Sequence, residues 1–223
     1  MEQADAEMRR LVCFVTNSMR RPALVFLSCV VLMALAAQPV FAHQPFFEDV
    51  DSTPTNPFKI NDASISLALY ATLESNTDVD YFTFSAKKDQ RIPVSIVIPQ
   101  IKGQEKFAPM LAVVGPGLPT ISGTLPAAVP ISKTNGVLVI APPTKAGEFY
   151  EPFGGDKYWT RQGATFSVPK DGKYMIVVWD AQGCVGRYTL SVGSKEIFGG
   201  DPNYRTKKKA YWTAITNTVA ACR

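Results

Sequence analysis

Asp78 and Asp80, one residue apart where an alternating run begins, are the most informative pair of chemical groups in the sequence. Alternate side chains of an extended strand point the same way. Two carboxylates so placed, with backbone oxygens from the loop before them, could hold Ca²⁺ if Glu48, Asp49, Asp51 or Asp180 approaches from elsewhere. The candidate metal ligands are therefore Asp78, Asp80 and Asp180. The competing role is structural: the same aspartates could accept hydrogen bonds from turn amides and fix the strand entry. A second constellation is aromatic. Phe149, Tyr150, Phe153, Tyr158 and Trp159 surround Gly154-Gly155, and such rings either stack on sugars or peptide side chains or pack as a satellite core under a long loop. Phe153, Tyr158 and Trp159 are the candidate ligand contacts.

The remaining chemistry is mostly exclusion. His43 is the sole histidine, so no Ser-His-acid or Cys-His arrangement exists unless a chain terminus serves as base. Zinc needs three or four nitrogen or sulfur ligands, and a copper site at His43 would need a second histidine. No phosphate-binding glycine loop of known spacing occurs. A pair of carboxylates can hydrolyse a glycoside, but the acids here fall mostly at turns and no pair stands out. The expectation is a protein that is not an enzyme, with a carboxylate-only hydrolase as the remaining alternative.

Residues 1–42 read as an export signal. Arg9, Arg10, Arg20 and Arg21 form a basic region, an apolar run follows from about Pro22 to Ala37, and Val40-Phe41-Ala42 supplies a cleavage site after Ala42. The apolar run is shorter than the roughly 20 residues that span a bilayer. Of 223 residues with net charge +4, removing four arginines and three acids leaves 19 basic and 16 acidic groups. That near balance gives no electrostatic case for nucleic acid. Export leaves Cys184 and Cys222, which could pair as a disulfide in an oxidising compartment or remain two free thiols. Closing that loop would stabilise the fold by roughly 4 kcal/mol.

These groups must be positioned by strands. Residues 43–60 are extended, interrupted by Pro45, Pro54 and Pro57. From Ile65 the period becomes two: Ile65, Leu67, Leu69, Ala71 and Leu73 alternate with Ser66, Ala68, Tyr70 and Thr72. Asp78–Ala86 sets Phe82 and Phe84 against Tyr81 and Thr83, and Ile92, Val94, Ile96 and Ile98 alternate next, with Pro93 expected at an edge or outside the ladder. Shorter apolar strands are expected at 110–114 and 137–140, with irregular connections at 115–135 and 142–163. Strands at 165–168, 174–179 and 187–192 close the domain, with a turn at 169–172 in which Gly172 suits positive φ. About eight strands without an internal helix imply an all-β fold, an antiparallel two-sheet β-sandwich over 61–200. The tail 201–223 places Tyr211, Trp212, Ile215, Val219 and Cys222 on one helical face after Lys207-Lys208-Lys209. It could pack on the sandwich or lie at a membrane surface through 204–223.

Asp78-Val79-Asp80-Tyr81-Phe82-Thr83-Phe84 and the strand after it resemble the first half of bacterial pre-peptidase C-terminal (PPC) domains. Asp171-Gly172-Lys173-Tyr174, running to Val178 and Asp180, and Gly186-Arg187-Tyr188-Thr189-Leu190 resemble their closing hairpin. The similarity covers roughly 62–193 and implies an exported, jelly-roll-like sandwich. Such domains usually accompany secreted proteases; some contribute to substrate binding and some bind calcium. This chain carries no peptidase, and its 115–162 segment is longer than usual, as in stand-alone exported prokaryotic proteins that it also resembles. The expectation is a non-catalytic binding or adhesion module, periplasmic, cell-surface or secreted, whose partner is a polysaccharide or a protein. The alternative is an envelope-associated accessory protein held to membrane by its tail.

Overall fold

The computed structural model describes residues 43–119, 125–126, 129–152 and 154–213. Residues 1–42, read from the sequence as an export signal, Phe153, Cys222 and the tail after Thr213 lie outside the described residues. Eleven strands occur among those described: β1 (Gln44–Phe47), β2 (Phe58–Lys59), β3 (Leu67–Leu73), β4 (Val79–Ala86), β5 (Arg91–Pro99), β6 (Met110–Pro116), β7 (Asn135–Ile140), β8 (Gly147–Glu151), β9 (Asp156–Ser167), β10 (Gly172–Trp179) and β11 (Gly186–Val192). One helix, α1 (Tyr204–Tyr211), follows. The strands form an all-β sandwich of a six-stranded sheet, β1-β3-β11-β5-β9-β8, and a five-stranded sheet, β2-β4-β10-β6-β7.

The expectation of wholly antiparallel sheets needs correction. β1 pairs with β3, and β2 with β4, in parallel, so the extended segment 43–60 supplies one edge strand to each sheet. The rise from about eight strands to eleven comes from β1, β2 and β8, and the strand expected at 165–168 begins earlier, at Asp156, so that β8 and most of β9 lie in the stretch expected to be irregular.

The period-two pattern sets the core. Ile92, Val94, Ile96 and Ile98 of β5 and Tyr188, Leu190 and Val192 of β11 face Phe82, Phe84, Ile176 and Val178 of the other sheet, all buried. Burying each large aliphatic or aromatic side chain contributes about 1.5–3 kcal/mol relative to exposure. β5 is a central strand between β11 and β9, a position that Pro93 was expected to avoid. It is tolerated because Gly193, with φ of 79°, turns the chain away after the last β11 pair and donates its N–H to Pro93 O (3.0 Å). The missing proline N–H therefore falls where that ladder ends.

Two glycines act through size. Gly172 is not at positive φ, contrary to expectation; a Cβ there would lie 2.7 Å from the Pro116 ring. At Gly115 a Cβ would lie 2.1 Å from the Tyr174 ring, whose hydroxyl donates between Lys170 O (2.7 Å) and Pro116 O (2.9 Å). Gly115→Ala is expected to displace that ring and destabilise the fold by about 2 kcal/mol, read as a lower urea midpoint at unchanged m-value.

Both sheets are also covered on part of their outer faces. Tyr81, Ala112, Val114, Val177 and Trp179 of the five-stranded sheet pack with Val129 and Leu125 of the 117–134 connection. On the six-stranded sheet, Ala68 and Tyr70 pack with Phe47 and with Tyr204, Tyr211 and Trp212 of the α1 region.

Candidate functional site

An acidic site forms where the chain leaves β1. Parallel pairing continues through Glu48, whose N–H donates to Tyr70 O (2.9 Å). Its carboxylate then organises the next turn: Oε1 accepts from the Ser52 N–H (3.0 Å) and hydroxyl (2.5 Å), and Oε2 accepts from Thr72 N–H (3.2 Å). Ser52 is buried and its carbonyl receives Tyr81 N–H of β4 (3.1 Å). Residues 48–52 thus bridge the two sheets and arrive beside Asp80.

Asp80 alternates with the outward Val79 and Tyr81 and so points between the sheets. It is fully buried, and its Oδ2 accepts the Tyr188 hydroxyl of the opposite sheet (2.5 Å). Its Oδ1 is buried without a hydrogen-bond partner. Glu48, Asp51 and Asp80 each bring a carboxylate oxygen within 4.8 Å of the others. Burial, then the Glu48 charge, pushes Asp80 up to about 9, against the pull of the Tyr188 bond. Burial likewise raises Glu48, opposed by its bonds to Ser52 and Thr72. Asp78 and Glu74 are raised by burial and by the Asp51 charge. No lysine or arginine forms an ion pair with any of these five carboxylates among the described residues. A desolvated acid group with an orphan oxygen and no counter-charge is costly unless it holds a proton or a cation. All-oxygen donors suit a hard ion such as Ca²⁺.

The other expected ligands are placed differently. Asp78 Oδ2 accepts Glu74 N–H (2.6 Å), closing the turn before β4. Asp180 is not part of the cluster: its Oδ1 accepts Gln182 N–H (2.8 Å) and Cys184 N–H (2.9 Å) in the turn after β10. Cys184 is disulfide-bonded; Cys222 lies outside the described residues. The His43 ring shares a hydrogen bond with the Ser66 hydroxyl, but Ser66 is fully buried, out of reach of a substrate.

The aromatic expectation is corrected as well. Tyr158 is only 2% exposed, its ring 5.3 Å from that of Trp212. Trp159, on the opposite face of β9, packs against the inter-sheet core. Of the described rings in that constellation, Phe149 and Tyr150 of β8 reach solvent, 44% and 58% exposed. Tyr158 is covered because α1 closes over this face. Tyr211 sets its ring 5.0 Å from Tyr70 at 82° and donates its hydroxyl to Tyr188 O (2.5 Å). Tyr211 and Trp212, two of the side chains that a lipid-bound tail would present, pack on the sheet. Lys207 pairs with Asp49 and Asp201, and Lys208 with Asp156. No helix among the described residues is long and apolar enough to cross a membrane.

Scanned against protein families, the chain matches none, and no curated protein matches its sequence. Among solved structures it is similar to the periplasmic inhibitor of g-type lysozyme from Aeromonas hydrophila, at 16% identity and a TM-score of 0.36, over 68% of this chain and 98% of that one. It is also similar to the pre-peptidase C-terminal domain of Bacillus anthracis collagenase, at 17% identity and a TM-score of 0.34, over 61% and 93%. A third is a surface-associated copper-binding protein of Methylomicrobium album, at 11% identity and a TM-score of 0.31, over 68% and 98%.

Proposed function

We propose that this chain is an exported, non-catalytic β-sandwich that binds a polysaccharide or a protein through the free edge of its six-stranded sheet. The observation that carries the reading is β8. Among the described residues it is the last strand of its sheet and pairs only with β9, so its outer backbone groups have no strand partner there. It also exposes Phe149 and Tyr150. A sheet edge offers backbone hydrogen bonds, and adjacent rings offer stacking surface, a combination that suits both sugars and extended peptides. Export is supported by the basic, apolar and small-residue series before His43.

Glu48, Asp51 and Asp80 hold Ca²⁺ in this reading, with the orphan oxygen of Asp80 as the supporting observation. The ion would neutralise the cluster and fix the 48–52 bridge between the sheets. In the oxidising compartment, Cys184 pairs with Cys222 and ties the chain end to the turn after β10.

The test of the binding edge is a glycan array and an immobilised panel of extracellular proteins, probed with the secreted protein. Phe149→Ala with Tyr150→Ala is expected to abolish the signal while changing stability by less than about 1 kcal/mol, as exposed positions do. Binding undiminished in the double variant would remove β8 from the site; no retained glycan or protein would remove the function.

A further inference from the structure

We propose that the outer face of the five-stranded sheet carries a separate bay for a carboxylate-bearing saccharide, gripped between Lys59 and Lys173. Its position follows from register. β2 sets Lys59 beside Thr83 of β4, and β10 sets Lys173 beside Ser85 and Met175 beside Thr83. Because Phe82, Phe84 and Ile176 point into the core, these five side chains share the outer face. They line a groove of about 550 Å³, walled by residues 57–61 on one side and by Pro130 and Asn135 on the other.

The chemistry of that groove differs from its surroundings. The rest of the outer face is apolar and covered: Tyr81, Val177 and Trp179 lie against Val129 and Leu125. In the bay, the Lys59 and Lys173 ammonium groups form no ion pair among the described residues. The Thr83 and Ser85 hydroxyls are left available at the floor between them. Two uncompensated cations across one strand, with hydroxyls between and Met175 and proline surfaces alongside, match a ligand that is anionic, rich in hydroxyls and partly apolar on its ring faces. The exposed lining holds no aromatic platform on which nucleobases would stack, which disfavours single-stranded nucleic acid. The bay lies on the sheet that does not contain β8, so it stands apart from the reading above.

The experiment is a calorimetric titration of the secreted protein with oligogalacturonate and, in parallel, with a neutral galactose oligomer of equal length. Binding is expected for the acidic oligomer alone, weakening as salt is raised. Lys59→Gln and Lys173→Gln should each lower affinity about tenfold with the melting temperature unchanged, while Phe149→Ala should leave it intact. Equal affinity for the neutral oligomer would overturn the proposal, as would no heat with galacturonate or full affinity in both lysine variants.

Discussion

Millimolar calcium is expected to raise the melting temperature of the protein by about 5–10 °C, and Asp80→Asn to abolish the rise. A ligand that binds only the folded state at 100 times its Kd contributes about 2.7 kcal/mol, and 1 kcal/mol moves a domain of this size by about 2–4 °C. The same group fixes how the calcium-free protein responds to pH. Asp80 titrates near 9 when folded and near 3.9 in an unfolded chain, so the folded state holds the extra proton between those values. A raised folded value contributes stability that is fully present below about pH 4 and is lost as pH climbs through 9. The slope for one group reaches about 1.4 kcal/mol per pH unit, and Glu48, raised by burial, adds in the same direction. In a chelator, wild-type protein should therefore be less stable at pH 8 than at pH 5. Asp80→Asn keeps an acceptor for the Tyr188 hydroxyl and removes the titration, so its stability should vary much less across that window and exceed wild type at pH 8. Unchanged melting with and without calcium, together with a wild-type pH profile in Asp80→Asn, would mean that the cluster neither binds the ion nor titrates as placed.

Why Asp80 and not Asp180 could not be settled along the chain. Both flank the β4–β10 pair, where Val178 stands opposite Asp80, yet Asp80 alternates inward while Asp180 lies beyond the strand and is used up by two turn amides. Glu48 reaches the same place only because β1 adds in parallel to β3, a pairing that a four-residue segment containing Pro45 does not announce. The strands that were legible are those with one covered face. The alternations at 67–73, 79–86, 91–99 and 186–192 follow from a single apolar side meeting a core. The β8–β9 hairpin carries no such signal at its tip, because β8 is exposed on both faces and has no inward set of residues. Tyr158 was misplaced for a related reason. Its ring is buried by an element that comes 46 residues later in the sequence, and an aromatic side chain looks the same whether a helix or water covers it. Trp159 then follows from period two, which sends it to the opposite, inter-sheet face.

Tyr211→Ala is expected to release α1 from the sheet at a loss of about 3–5 kcal/mol, the range for truncating a large buried side chain, with both sheets intact. The helix has eight residues, too few to persist in water without tertiary contacts. Its ion pairs cannot substitute: Lys207 with the exposed Asp49 contributes about 0.2–1 kcal/mol, and Lys208 with Asp156, 18% and 15% exposed, loses much of its attraction to desolvation. The Arg187 guanidinium holds the carbonyls of Ala210, Tyr211 and Thr213 at the helix end, but those bonds need the carbonyls already in place. The ring of Tyr211 is what brings them there, seated between Tyr70 and Phe47. Tyr211→Phe keeps the packing and loses the bond to Tyr188 O and the longer contact with the Thr189 hydroxyl (3.5 Å), a difference of about 1 kcal/mol. Hydrogen exchange separates the two: residues 204–213 should lose protection in the alanine variant and keep it in phenylalanine. Sedimentation with anionic vesicles then decides what the helix is for. Wild type should stay in solution, because its aromatic face is engaged by Tyr70, and only the released alanine variant has a face free to meet lipid. Protection of 204–213 that survives Tyr211→Ala would show that Arg187 and the lysine pairs seat the helix without the ring. Wild-type sedimentation with exchange protection lost on vesicles would show that lipid competes successfully with the sheet for the same side chains.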